Sequence, residues 1–215
     1  MTIEKTLKQI ENKLEEWGKN KEKLVVGIDG YSGVGKSTIL LELARKMPDV
    51  IVVDMDNFVF TAKKSVDTEI TTECKNPKDI NHQWNNLEKL CELRHLVNNF
   101  KTAKTGNTEA TLFSEKTNKY DLETRFDFSK NILVIAGVFL QHPFVLDDLI
   151  DKQIYLDANL AQVDKRRVVR EKKRWGDQYM SEDHPDSFFG MFKRSFVKYT
   201  ELYNPKEKAD LIIEV

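Results

Sequence analysis

The chain has 215 residues, 40% of them hydrophobic and 32% charged, with 34 Lys and Arg against 35 Asp and Glu for a formal net charge of −1. That length fits one domain, and that composition supplies a core. The balanced charge argues against a nucleic-acid coat or a polybasic membrane binder, and no apolar run reaches the length of a membrane-crossing helix. Two cysteines, Cys74 and Cys91, are too few for a disulfide framework or a four-ligand zinc site and read as reduced bystanders. With charged residues interleaved through the first twenty positions there is no signal-peptide core, so the expected location is cytoplasmic, with neither nucleic acid nor membrane as partner.

Ile3, Leu7, Ile10, Leu14 and Trp17 recur at helical spacing, which predicts an amphipathic helix within residues 1–20, ended by Gly18. Leu24 to Asp29 reads as a buried strand. A glycine-rich turn follows, then a helix from Ser37 to Ala44 and a second apolar strand, Val50 to Asp54. Strand, helix and strand in so short a span make a βαβ unit and imply a parallel sheet. Residues 57–81 show little periodicity. Trp84, Leu87, Leu90, Cys91, Leu93, Val97 and Phe100 predict a second amphipathic helix. Residues 101–130 are polar and Thr-rich, with short strands expected at Thr111–Phe113 and Lys119–Tyr120, as in a hairpin or flap. Strands return at 131–137 and 152–157. A very basic helix spans 159–175, a helix lined by Phe188, Phe189, Phe192, Phe196, Tyr199 and Tyr203 reads as core, and a strand closes the chain at 210–215.

The sharpest motif is Gly30-Tyr31-Ser32-Gly33-Val34-Gly35-Lys36-Ser37, which fits G-x-x-x-x-G-K-[ST] between a predicted strand and a predicted helix. Glycines let successive backbone N–H groups aim at one anion, and the helix adds its positive end. Gly30, Ser32, Gly33, Val34, Gly35, Lys36, Ser37 and Thr38 are therefore the expected nucleotide-binding residues. Lys36 would reach the terminal phosphates and Ser37 would offer an oxygen to Mg²⁺. Together with the predicted strands and the polar middle of the chain, the motif predicts a three-layer α/β P-loop NTPase fold with a parallel sheet of about five strands and a small flap or lid insertion. It does not specify the reaction. Asn118-Lys119-Tyr120-Asp121 spells the guanine-reading N-K-x-D of GTPases, but a polar stretch rather than an apolar strand precedes it, so that reading is set aside.

Several segments together resemble the uridine kinase / phosphoribulokinase family of P-loop small-molecule kinases, from about Leu24 to Val215. They are the glycine loop with its lead-in Gly27-Ile28-Asp29, Met55-Asp56-Asn57-Phe58, Tyr120-Asp121-Leu122-Glu123-Thr124, Gly137-Val138-Phe139-Leu140, the basic stretch Lys165 to Glu171, and the tail from Tyr203 to Ile212. The resemblance implies a single kinase domain over residues 1–215, with an acceptor-side flap and helix in 57–130 and a lid helix in 159–176. It implies ATP and Mg²⁺ as cofactors and a small-molecule hydroxyl as acceptor, and it is compatible with a homo-oligomer. Under it the catalytic residues are Lys36, Asp56, Arg166 and Arg170. Ser37 and Asp56 would hold the metal, with Asp54 as a second candidate, and Asp56, Phe58, Tyr120, Asp121 and Arg125 would line the acceptor site. Two departures stand out. The family carries a glutamate before the glycine of the fourth segment, where this chain has Ala136, so a catalytically impaired nucleotide-binding or regulatory protein is the alternative reading. Arg125 stands where uridine kinases carry a histidine, and a guanidinium suits a carboxylate or phosphate better than a uracil edge.

Overall fold

The computed structural model describes residues 2–59, 87–114, 116–117, 119–143, 145–184 and 187–215. Helix α1 (Ile3–Gly18) buries Leu7, Ile10 and Leu14, the expected stripe. Strand β1 (Leu24–Gly30) is buried at every residue. Alternate side chains of a strand point to opposite faces, so both faces of the sheet are covered there, which is the origin of the three layers. Helix α2 (Lys36–Lys46), strand β2 (Val50–Asp54) and the short helix α3 (Asp56–Val59) complete the first βαβ unit. Helix α4 (Leu87–Thr102) leads into strands β3 (Asn107–Ser114) and β4 (Lys119–Asp127). Strands β5 (Ile132–Ala136) and β6 (Lys152–Asp157), helices α5 (Leu160–Trp175) and α6 (Phe188–Tyr203), and strand β7 (Leu211–Glu214) follow. The predicted helix position Trp84 lies outside the described residues, as do Cys74 and Asn118 of the N-K-x-D tetrad. Cys91, buried on α4, is disulfide-bonded rather than reduced as expected.

The main sheet has five strands in the order β2-β5-β1-β6-β7, all paired in parallel. From β1 the chain first crosses to β2 on one side and later builds β6 and β7 on the other. The carboxyl end of β1 is thus the point where the winding changes sides, the place at which open α/β sheets form their ligand crevice.

The hairpin is longer than the sequence suggested. β3 and β4 pair antiparallel from Asn107↔Asp127 to Ser114↔Lys119, with an irregularity between Leu112 and Phe113. One face is open to solvent, so of the apolar residues in these strands Leu112, Phe113 and Phe126 are buried while Leu122 is exposed. Helix α6 is capped by Ser187, whose Oγ accepts from the Gly190 N–H at 3.2 Å, and ends at Asn204 in the left-handed region (φ 48°). Its residues Phe189, Phe192, Phe196 and Tyr199 are buried, as expected of a core face.

Candidate active site

The glycine motif forms the turn from β1 into α2. Gly30 has φ 147°, and a Cβ there would lie 2.7 Å from the Leu156 carbonyl oxygen of β6, so a side chain would force the two strands apart. Gly35, at φ 106°, precedes α2 without a side-chain cap, and the first turn of that helix contains no acidic residue. The opening amides of α2 therefore lack intrahelical partners and point into the loop, which is the arrangement that attracts an anion. Ser37 and Thr38 are exposed in this turn. Lys36 folds back across the loop and donates to the carbonyl oxygens of Gly30 (2.7 Å) and Tyr31 (2.9 Å). Burial lowers its pKa to about 8, against the opposing pull of Asp29, Asp56 and Asp54.

Behind the loop lies Asp29, fully buried. Its Oδ1 accepts from the Gly30 N–H (2.6 Å), and its Oδ2 accepts from the Leu140 N–H (3.2 Å) and the Tyr199 hydroxyl (2.5 Å). Burial pushes the Asp29 carboxyl above the usual range, opposed by the Tyr199 hydrogen bond, by Lys36 and by the two amides. The turn that delivers Leu140 contains Phe139 at φ 62°, a strained conformation for a bulky residue. The Phe139 ring lies in the aromatic cluster of α6, edge-on to Tyr199 at 5.1 Å, which holds the turn in place. The lead-in to the motif is thus stitched to β5 and α6 through a single carboxylate.

Asp54 and Asp56 stand across from Lys36 at the carboxyl end of β2. The Asp54 carboxylate accepts from the Asp56 N–H at 3.1 Å, which orders the turn, and Asp56 is exposed. Ala136 pairs in register with Asp54 and with Ile28 and is 1% exposed. Its methyl group offers no oxygen to a cation. Among the described residues no cluster of three His, Cys, Asp or Glu has metal-holding geometry, so a bound cation would lean on phosphate and solvent oxygens as well as on Ser37, Asp54 and Asp56.

The basic helix α5 turns a different face to the loop from the one the sequence favoured. Arg166 and Arg170 are exposed, and Arg170 pairs with Glu171 at 3.4 Å. The buried stripe is Val163, Arg167 and Glu171. A Cβ on Gly33 would lie 3.3 Å from Val163 and 3.9 Å from Arg167, so this stripe borders the loop at Gly33. The Arg167 guanidinium carbon stands 4.2 Å from the ring centre of Phe192, 4.6 Å from that of Phe189 and 5.6 Å from that of Tyr31. Three aromatic faces thus hold the cation. Its Nε and Nη1 are buried without a hydrogen bond of good geometry, with the Tyr31 hydroxyl as the polar neighbour of the guanidinium. Arg167 is the principal residue that the sequence reading passed over. Its only signal there is its place four residues after Val163.

On the side where the sequence places the acceptor residues, Tyr120 donates from its hydroxyl to the Phe58 carbonyl at 2.7 Å and so ties the hairpin to α3. Phe58 is fully buried. Asp121 is exposed and accepts from the Thr117 hydroxyl at 2.8 Å, and Arg125 is exposed opposite Glu109. A cavity of about 380 Å³ lies between α4 and the hairpin, bounded by Phe58, Lys89, Glu92, His95, Glu109 and Glu123 among others. The structure therefore gathers Phe58 and Tyr120 at one place and leaves Asp121 and Arg125 on the outer surface of the hairpin.

Residues 25–215 match the Phosphoribulokinase / Uridine kinase family. A uridine kinase of Staphylococcus aureus (strain JH9) is 26% identical over 204 residues, covering 88% of this chain and 86% of that protein. Two solved structures share the fold. A possible uridine kinase from Bacillus stearothermophilus aligns with a TM-score of 0.59 at 20% identity, over 95% of this chain and 99% of that one. The D-glycerate 3-kinase from Cryptococcus neoformans aligns with a TM-score of 0.57 at 14% identity, over 99% and 95%. The glycine cradle, the parallel sheet and the match over nearly the whole chain agree, and kinase-type phosphoryl transfer follows from them: the chain belongs to the Phosphoribulokinase / Uridine kinase family.

Proposed function

We propose that the protein transfers the γ-phosphoryl group of ATP to a hydroxyl of a small metabolite, acting as one kinase domain over residues 1–215. The observation that carries this reading is the cradle itself, with open helix amides, a half-buried lysine across them and two carboxylates facing that lysine. The loop amides after Gly30, whose own N–H is taken by Asp29, hold the phosphates with Ser37 and Thr38, and Lys36 swings from the two carbonyls onto the terminal phosphates. Mg²⁺, when bound, neutralises charge between the phosphates, and Ser37 with Asp56 and Asp54 would hold it. Asp56, exposed at the mouth of the crevice, orients the acceptor hydroxyl and takes its proton. Arg167 donates N–H groups to the phosphates, while Arg166 and Arg170 on the outer face act when the 159–176 lid closes.

For the acceptor, the cavity beside Phe58 and Tyr120 is the proposed site. Lys89 pairs with Glu92 at 2.6 Å, and the remaining Glu109 and Glu123 favour a neutral or cationic polyhydroxyl compound over an acidic one, against the preference that Arg125 suggested from sequence. A cytoplasmic enzyme is in keeping with the absence, among the described residues, of any helix long and apolar enough to cross a membrane.

The test is ADP release with ATP and Mg²⁺ against uridine, cytidine, nicotinamide riboside, pantothenate, D-glycerate and sugar phosphates. Acceptor-dependent release is expected, and Asp56→Ala should lower kcat by about 10²–10⁴-fold while leaving ATP affinity nearly intact. An unchanged kcat would remove Asp56 from its role. A second reading, a nucleotide-binding regulator with little turnover, is favoured by Ala136 alone. Under it the panel is silent while ATP still binds, and Ala136→Glu gains nothing. A large Mg²⁺-dependent gain in that variant would instead show a kinase limited at this position.

A further inference from the structure

Asp29 immediately precedes the glycine motif and is fully buried, a costly place for a carboxylate unless its neighbours are built to hold it. Tyr199 of α6 is fully buried beside it. The Tyr199 oxygen accepts from the Gln141 N–H at 3.0 Å, which leaves the hydroxyl proton for Asp29 Oδ2 at 2.5 Å. Burial and the Asp29 carboxylate push the Tyr199 hydroxyl well above its usual range, so it stays a donor. Phe139, the strained residue at φ 62°, presents the next two amides to the same pair, Leu140 N–H to Asp29 and Gln141 N–H to Tyr199.

The other Asp29 oxygen, Oδ1, takes the Gly30 N–H at 2.6 Å. That amide is thereby withheld from an anion in the loop, and the peptide that enters Gly30 is pinned. Gly30 then turns at φ 147°, hard against the Leu156 carbonyl of β6. Every later loop amide takes its aim from this fixed peptide, because a small rotation at Gly30 is carried into the residues that follow. The bonds that fix it come from three places in the fold: the end of β1, the turn after β5 and the middle of α6.

We propose that Tyr199 and Asp29 are positioning residues of the phosphate loop: through one phenol and one carboxylate, α6 sets where the loop amides point, without touching the nucleotide. The inference rests on the reading of this loop as a nucleotide cradle and is independent of the acceptor.

The experiment is titration calorimetry of the full chain with ATP and with inorganic tripolyphosphate, each with Mg²⁺, beside melting curves. Tyr199→Phe should weaken both ligands by the same factor, about tenfold, because the defect lies in the amides that hold phosphate. Asp29→Asn should weaken them at least as much. Ser195→Ala removes another buried hydroxyl of α6, one without a hydrogen-bond partner, and should match the parent. In the ¹⁵N spectrum of the parent, the Gly30 amide should exchange slowly and hold its shift when ATP is added, since Asp29 keeps it. That measurement needs no variant and decides the matter if Tyr199→Phe and Asp29→Asn do not fold. A lower melting point with unchanged affinities would overturn the inference and leave a purely structural pair. Weakening of ATP without tripolyphosphate would place the defect outside the loop and overturn it too, as would a Gly30 amide that exchanges freely or moves onto the nucleotide. A parent that binds neither ligand removes the cradle reading, and this inference with it.

Discussion

The sheet that carries the cradle and the hairpin that stands beside Phe58 are built by opposite rules. β1 is buried at all of its residues and β5 at all but its first. In the hairpin, β4 buries only Phe126, and Leu122 is 46% exposed. The phosphate end is thus specified by backbone positions locked from both faces, where one added methylene is felt. The proposed acceptor end is mostly surface chemistry on a short ribbon, which can change its side chains with little cost to the fold. A kinase built this way can keep its donor and exchange its acceptor.

Lys36→Ala probes the locked region most severely. ATP affinity should fall by about 100-fold or more, while the thermal midpoint holds or rises, since a half-buried cation is removed. A fluorescent-nucleotide titration beside a melting curve reads both, and unaltered affinity would break the assignment of this end. Titrating the same lysine comes next. It is cationic below a pKa of about 8 and neutral above it, so nucleotide affinity should be full at pH 7 and decline by up to about tenfold per unit above pH 8. Stability of the free protein should move the other way. The lysine's ordinary pKa is 10.5, so the cost of burying its charge is present below pH 8 and is relieved between there and 10.5.

A matched pair of carboxylate-to-amide changes sharpens the comparison. Asp29→Asn confronts three donors with a side chain that itself donates, and should cost about 1–3 kcal/mol in urea denaturation. Glu123→Gln on the exposed hairpin, where the carboxylate accepts from the Thr111 hydroxyl at 2.9 Å, should stay within about 0.5 kcal/mol. Equal costs would erase the distinction. Tyr120→Phe sits between the regions. It removes one hydrogen bond to the Phe58 carbonyl, worth about 1 kcal/mol, and should appear as a raised KM for the acceptor with kcat nearly unchanged.

The same contrast governs what could be read from the chain. Gly30 to Ser37 were legible because each residue type is demanded by backbone geometry and both flanks agree. The place of Asp56 was legible because an apolar strand precedes it, whereas its proposed role came from the family resemblance. Arg167 was not, because α5 carries cations on every side, at Lys165, Arg166, Arg170, Lys172 and Lys173, and charge alone does not set which face packs. Only contact with Tyr31, Phe189 and Phe192 fixes the phase of that helix. The extent of the hairpin escaped for a related reason, since a ribbon with one wet face supplies few apolar residues to mark its ends. Tyr199 reads as core from its spacing, but its hydrogen bond to Asp29 carries no sequence signal at all, since the partners lie 170 positions apart.

The resting posture of Lys36 has a consequence for selectivity. Its ammonium is already satisfied by the Gly30 and Tyr31 carbonyls, so an arriving anion gains only the difference between its own oxygens and the two it displaces. For chloride or a lone carboxylate that difference is small. For a polyphosphate, which engages the loop amides at the same moment, it is large. The loop therefore ignores the monovalent salt around it and answers to charge density, an ion-exchange filter made from two peptide carbonyls and one side chain.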